Sequence, residues 1–338
     1  MKTKQIIFTK PYTAELLEEE CLSPKENEVT VSLEYSAISA GTEKANYTGQ
    51  RNGPDVGEDE APSFPRAVGY SAAGIVTAIG RGVSDVAVGD RVIVYWGKHK
   101  KHITVDRKCV VKIPDGVSSE EAAMLFISTF PLAAVRKTRL EIGESAMVMG
   151  LGILGIFAVQ QLRAAGAYPV IAVDPVKERR ELALKLGADL AFDPTEEDFI
   201  KKIKTASSGG VNVCIEVTGL GIGLVQALDC MEMMGRVALL GCTRSSSFEI
   251  DYYGKVHGRG VSLIGAHTMA RPRDESSPGL WTNVDDINAM LNLVLGGRIN
   301  VRDMIFEKHS PIKAQEVYDR LVNDKGFPIG VLFDWTNL

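Results

Sequence analysis

Cysteine is scarce and unpatterned in this chain: Cys21, Cys109, Cys214, Cys230 and Cys242 are odd in number, widely spaced and contain no C-x-x-C pair. That excludes a disulfide framework and a zinc knuckle, and it suggests reduced thiols in a cytoplasmic protein. Long apolar runs are also missing. The longest near-apolar stretch, residues 146–159, is interrupted by three glycines and falls short of the ~18–20 residues that cross a bilayer. Only Ile6-Ile7-Phe8 precedes Thr9 and Lys10, too little for the apolar core of a signal peptide. No membrane partner is expected. An excess of positive charge is absent as well, with 38 basic against 43 acidic side chains and a net charge of −5. The longest basic run is the short 98–102 stretch, so no nucleic-acid partner is expected.

What is present is an ordinary globular composition, 45% apolar and 24% charged over 338 residues. That length suits about two domains, each able to bury its own core. The first ~125 residues read as β structure, with short Val-, Ile- and Tyr-rich runs at 28–35, 73–79, 90–95 and 108–113 ending in Gly, Pro or Asp. Between them lies a Gly/Pro/acid-rich loop, 47–65, long enough to be functional or mobile. From about 127 strands and helices alternate: strands at 146–149 and 169–173, helices at 151–165 and 176–186, then strands at 211–217, 236–240 and 261–264. That alternation predicts βαβ units and a parallel sheet, hence an α/β fold. Helices at 283–295 and 313–323 and strands at 304–307 and 329–333 follow, and this tail is expected to rejoin the N-terminal domain.

Gly150-Leu151-Gly152-Ile153-Leu154-Gly155 is a G-x-G-x-x-G placed after a predicted strand and before a predicted helix. There the first glycine reverses the chain, the second lets backbone approach a pyrophosphate, and the third lets helix and strand pack closely. The helix N-terminus then offers N–H groups to the anion. Asp174 ends the next apolar strand, 24 residues after Gly150, where a carboxylate accepts hydrogen bonds from ribose hydroxyls and repels a ribose phosphate. NAD(H) is therefore favoured over NADP(H). Arg179, one turn into the next helix, either lies against the adenine or is a solvated charge. Thr218-Gly219 and Gly241-Cys242-Thr243 follow apolar strands and are candidate nicotinamide-side contacts, or simply loop punctuation.

Five stretches resemble the medium-chain dehydrogenase/reductase superfamily in its zinc-type alcohol and polyol dehydrogenase arm. They are AISAGTEK (37–44), PRAVGYSAAGIVTAIGRGVSDVAVGDRV (65–92), VVKIPDGVSSEEAAML (110–125), the glycine turn, and INVRDMIFEKHSPIKAQEVYDRL (299–321). The resemblance implies a GroES-like β-barrel catalytic domain (1–126), a Rossmann domain (127–268) and a C-terminal return to the catalytic domain (269–338). It places the active site between the two folds and implies a homodimer or homotetramer, with 261–264 as a candidate sheet edge. It also sets Thr129 beside the nicotinamide and Ala266 and His267 near its carboxamide.

In that register the family's zinc ligands fall on Ala40, Tyr70, Ser71 and Leu125, none of which replaces a thiolate or imidazole. The four-cysteine lobe is missing, Cys109 alone lying between Val94 and Val111, so no zinc is expected. Gly41-Thr42-Glu43 with Gly69-Tyr70-Ser71 resembles a zinc-free branch that includes bacteriochlorophyllide-type dehydrogenases. In place of the metal, Thr42 and Tyr70 are candidates to hold the substrate oxygen. A phenol of pKa about 10 needs a nearby cation, for which Lys44 and His99 are candidates. Glu43 either stands behind the site or pairs with Lys44. His99 and His102 lie in GKHKKH (97–102), readable as a solvated surface loop whose Lys98, Lys100 and Lys101 attract an anionic substrate, though His99 also resembles a histidine found here in the zinc-free branch and is a candidate base. Tyr95 and Trp96 are expected to line a pocket for an apolar or ring-containing substrate.

Three functions follow: a zinc-free NAD-dependent alcohol or polyol dehydrogenase, which is favoured; a zinc-free NADPH-dependent double-bond or quinone reductase; and a non-catalytic dinucleotide-binding protein.

Overall fold

The computed structural model describes residues 1–50, 63–243 and 247–338. Most of the 47–65 loop expected from sequence thus lies outside the described residues. A hairpin of β1 (Lys2–Lys10) and β2 (Thr13–Glu20) opens the chain. β3 (Glu28–Ala37) follows, then α1 (Ala40–Thr48), β4 (Arg66–Ala67), β5 (Ser71–Ile79), β6 (Arg91–Tyr95), β7 (His102–Asp106) and β8 (Val110–Lys112). On β3, Val29, Val31 and Leu33 point inward to a core with Ile6, Phe8, Val92 and Val94. That period of two puts one face of the strand in the core.

α2 (Ser119–Thr138) is a 20-residue helix opened by a capping box: Ser118 Oγ accepts from the Glu121 N–H at 3.2 Å, and the Glu121 carboxylate accepts from the Ser118 N–H at 3.1 Å. Fifteen of its residues are buried, because it passes between the two sheets. The expected boundary at 126/127 falls inside it.

The second sheet is parallel and six-stranded. It is built from β9 (Ala146–Met149), β10 (Val170–Val173), β11 (Leu190–Phe192), β12 (Val211–Glu216), β13 (Met231–Leu239) and β14 (Ser262–Gly265), in the order β11-β10-β9-β12-β13-β14. The crossovers carry α3 (Ile153–Ala164), α4 (Lys177–Lys185), α5 (Phe199–Ala206) and α6 (Gly221–Cys230). β9 and β10 are buried throughout, as expected for strands covered by helices on both faces. The order reverses between β9 and β12, the switch point where such sheets bind ligands.

α7 (Asn283–Leu295) packs on α2. β15 (Glu307–His309), α8 (Ala314–Asn323) and β16 (Val331–Asp334) then return to the first sheet, where β16 pairs with β3. The strand expected at 304–307 splits into a 3-10 turn at Arg302–Met304 and β15.

Candidate active site

At the switch point the glycine turn has the form the sequence predicts. Gly150 has φ +97°, open to glycine alone without strain, and a Cβ on Gly155 would stand 1.9 Å from the Gly150 carbonyl. Around Gly152 a Cβ would meet nothing within 4 Å, so its backbone is open to a ligand. No side chain caps the N-terminus of α3, leaving its N–H groups for an anion. Asp174 is buried at the end of β10, one carboxylate oxygen accepting the Leu151 N–H and the other the Val176 N–H, both at 2.8 Å. It thereby locks the turn to the next crossover. Arg179 approaches the same carboxylate at 3.7 Å rather than standing free, and Arg180 reaches the Asp174 carbonyl.

Glu216, which sequence reasoning missed, shapes the other wall. Buried at the end of β12, it accepts the Thr218 N–H at 2.7 Å, the Gly219 N–H at 3.2 Å and the Thr218 hydroxyl. Burial raises its pKa, and these donors work against that rise. Gly241 closes on this turn, its N–H donating to the Glu216 carbonyl at 2.8 Å, and Cys242 beside it is exposed. Thr129 is fully buried, its hydroxyl turned to the Phe126 carbonyl. Its own carbonyl accepts from Arg271, which also meets the buried Asp286 at 3.2 Å. Arg136 completes that cluster from the other side at 3.0 Å. Together with Lys137, which donates to the Gly265 and Ala270 carbonyls, these contacts fix the strap bearing Ala266 and the exposed His267.

On the first sheet, Tyr70 donates its phenol hydrogen to Ser39 Oγ and also bonds the Thr42 hydroxyl. Burial raises the phenol's pKa, with the Glu43 charge adding to the rise and the two hydroxyl contacts opposing it. Ser39, just before α1, was not anticipated from sequence. Around these hydroxyls stands an aromatic wall: Trp96 lies 5.7 Å from Tyr70, 4.9 Å from Phe126 and, stacked, 6.3 Å from Phe130. Trp96 is exposed at φ +56°, whereas Tyr95 stands behind the wall against Phe126, its hydroxyl on the Lys108 carbonyl.

Two expectations need correction. Lys44 is not the partner of Glu43; its ammonium donates to the Val322 carbonyl. Glu43 is fully buried and accepts from the Ser39 N–H at 2.9 Å, from Tyr318 at 2.6 Å and from His99 at 3.0 Å. His99 is likewise no surface residue, nor a base facing the Tyr70 phenol. It is 0% exposed, with Nδ1 on Ser36 Oγ at 2.7 Å. Trp335 donates to that same Oγ at 2.9 Å, and on the other side of the ring the Glu43 carboxylate accepts from Nε2–H. Both ring nitrogens are thus committed. Neither proposed cation stands beside Tyr70.

The family's zinc positions can be judged by donor chemistry. Ser71 Oγ is turned to the Ala123 carbonyl, Leu125 is fully buried, and Ala40 supplies no donor. Among the described residues no three His, Cys, Asp or Glu side chains are grouped to hold a metal. These residues do not fit Zn²⁺.

A Rossmann sheet with a dinucleotide turn, set beside a GroES-like β domain, defines a two-domain dinucleotide-dependent oxidoreductase. Residues 25–116 match the alcohol dehydrogenase GroES-like domain family and 154–284 the zinc-binding dehydrogenase family, so the chain belongs to the medium-chain, zinc-type alcohol dehydrogenase superfamily and is an oxidoreductase. It is 32% identical to the L-threonine 3-dehydrogenase of Thermococcus kodakarensis over 94% of each chain. It is 26% identical to the D-guloside 3-dehydrogenase of Escherichia coli, over 98% of this chain and all of that one. The crystal structure of 2R,3R-butanediol dehydrogenase from Bacillus subtilis superposes with a TM-score of 0.82 at 23% identity, covering 98% of this chain and 99% of that one.

Proposed function

We propose that this alcohol or polyol oxidoreductase uses NAD(H) and works without zinc, its substrate oxygen held by the hydroxyls of Tyr70, Ser39 and Thr42. The observation that carries the reading is this hydroxyl trio, joined by hydrogen bonds, with Tyr70 at a position that the family's register gives to a zinc ligand and Ser39 and Thr42 on either side of a second, Ala40. A bound nicotinamide supplies the hydride acceptor or donor. The chain's residues bind, orient and move the proton. The glycine turn and the α3 N-terminus receive the pyrophosphate, and Asp174 receives the ribose. Trp96, Phe126 and Phe130 exclude water from one side of the reacting carbon. Tyr70, whose phenol keeps its proton far above neutrality, turns that hydrogen from Ser39 Oγ to the carbonyl or alkoxide oxygen when substrate binds, and the proton is relayed through Ser39 or Thr42.

The test is a fluorescence titration of chelator-treated protein with NADH and with NADPH, alongside metal analysis. Preference for NADH, reduced or inverted in Asp174→Ala, is the expected result. Preference for NADPH would overturn the cofactor assignment and favour the double-bond or quinone reductase. Stoichiometric zinc whose removal abolishes turnover would overturn the metal-free reading.

A further inference from the structure

We propose that Arg271 and Lys137 are positioning residues for hydride transfer: they tie the strap 265–271 to α2 and so hold the nicotinamide in register with the aromatic wall. The inference rests on the NAD(H) dehydrogenase reading above and names the residues that align its two reactants. The sheet gives the direction of the cofactor. Asp174 follows β10 and the glycine turn follows β9, so the adenosine lies toward β10 and the nicotinamide over the carboxyl ends of β12, β13 and β14. Neighbouring strands stand about 4.8 Å apart, which puts β13 and β14 about 10 and 14 Å from the strand that carries the turn. The strap starts there. It leaves the carboxyl end of β14 at Gly265, with the Ala266 N–H donating to the Leu239 carbonyl of β13 at 3.1 Å.

Both anchors of the strap lead to α2. Lys137 of that helix donates to the Gly265 carbonyl at 2.9 Å and to the Ala270 carbonyl at 2.6 Å. Arg271 reaches back, Nη2 donating to the Thr129 carbonyl at 2.9 Å, Nη1 to Asp286 at 3.2 Å and Nε to the Thr268 carbonyl at 3.2 Å. A planar guanidinium serves three such acceptors at once, and a point-charged ammonium does not. The Arg271 side chain is 5% exposed and that of Asp286 0%, so water competes little for these bonds. Thr129 sits between Phe126 and Phe130, whose rings pack 6.0 and 5.8 Å from Tyr70 and 4.9 and 6.3 Å from Trp96. One helix therefore carries part of the wall that meets the substrate and also holds the strap beside the nicotinamide. A shift of about 1 Å between reactants costs about 10²-fold in rate, so the two anchors act on the reaction without touching the reacting atoms.

The experiment is a calorimetric titration of the full chain with NADH and, separately, with ADP-ribose, which lacks the nicotinamide. It compares the natural protein, Arg271→Lys and Lys137→Met, with denaturant midpoints read on the same samples. Arg271→Lys keeps a cation beside Asp286, and Lys137→Met keeps most of the aliphatic stem. NADH affinity should fall by about 10-fold or more in the variants. ADP-ribose affinity should stay within about 2-fold, because the adenosine side is remote from the strap. Selective loss of NADH in either variant supports the role of that residue. A merely structural role would weaken both nucleotides together or move only the midpoint, and either pattern in both variants would overturn the proposal. If Arg271→Lys fails to fold, Lys137→Met decides. Natural protein that binds ADP-ribose as tightly as NADH overturns the alignment and leaves the cofactor reading intact, whereas binding of neither refutes the dehydrogenase reading and the alignment with it. Where NADPH proves to be preferred, the same ratio is read with NADPH and 2′-phospho-ADP-ribose.

Discussion

Alanine placed in turn at the three glycines of the dinucleotide turn should separate folding from binding. At Gly155 the new Cβ would lie 1.9 Å from the Gly150 carbonyl oxygen, a backbone atom that cannot swing aside. Overpacking of that kind costs about 3 kcal/mol, so Gly155→Ala should lower the unfolding midpoint markedly. At Gly150 the cost has two sources: φ +97°, which strains any side chain by at least about 1–2 kcal/mol, and a contact of 2.9 Å with Thr218 Cγ2. Gly152 is different, because its backbone is extended and its Cβ would meet nothing. There alanine costs only the weaker helix cap, about 0.5–1 kcal/mol, but it fills the space where backbone and pyrophosphate must approach. Gly152→Ala should thus remain folded yet bind NADH about 10-fold or more weakly, equivalent to ~1.4 kcal/mol. Chemical denaturation and NADH fluorescence titration on the same samples read the two effects. If Gly152→Ala binds NADH as the natural protein does, or Gly155→Ala unfolds at the natural midpoint, the assigned roles of these glycines are wrong.

Tyr70→Phe should keep NADH affinity while lowering kcat by about 10²–10⁴-fold, and full turnover would remove the phenol from the proton path. His99→Ala leaves the Glu43 carboxylate buried and short of a partner, at a cost of about 3–5 kcal/mol read from denaturant midpoints at pH 7; a change below 1 kcal/mol would contradict the importance of the buried Glu43–His99 contact. Glu307 carries two hydrogen bonds from Arg320, at 2.9 and 3.2 Å, and one from His309 at 2.6 Å, and these contacts, Arg320 foremost, lower its pKa. Its contribution, about 0.5–1 kcal/mol for so exposed a pair, is complete above the unfolded pKa near 4.3 and disappears as pH falls through the lowered folded value. The stability gap between natural protein and Glu307→Gln should therefore close on acidification; a gap that widens would reverse the assigned sign.

The dinucleotide half was legible because its signals are local: continuous apolar strands, a glycine turn between strand and helix, and an acid closing the next strand. α2 was not legible. Burial on almost every side erases the 3.6-residue alternation by which a helix shows itself, and Pro131 inside it reads as a break. The hydroxyl site was half legible. Family register pointed to Thr42 and Tyr70, but the Ser39 contact spans 31 positions and exists only in the folded chain. Glu43 was paired with its sequence neighbour Lys44, whereas its actual partners stand 56 and 275 positions away. A side chain on the inner face of a helix meets what the fold brings to it, and adjacency in sequence carries little information about that.

The pairing of β16 with β3 has a consequence for the order in which the molecule assembles. Trp335, wholly buried, donates to Ser36 across 299 positions, and that serine also holds His99. During synthesis the parallel sheet, contiguous from Ala146 to Gly265, emerges complete and can close on short crossovers. β3 pairs with β7 over residues 28–32, but its 35–37 end must wait with one edge unpaired until residues 332–334 leave the ribosome. The half that binds the nucleotide can thus be in place before the half that carries the hydroxyls, and that unpaired edge is where a nascent chain is most exposed to pairing with another.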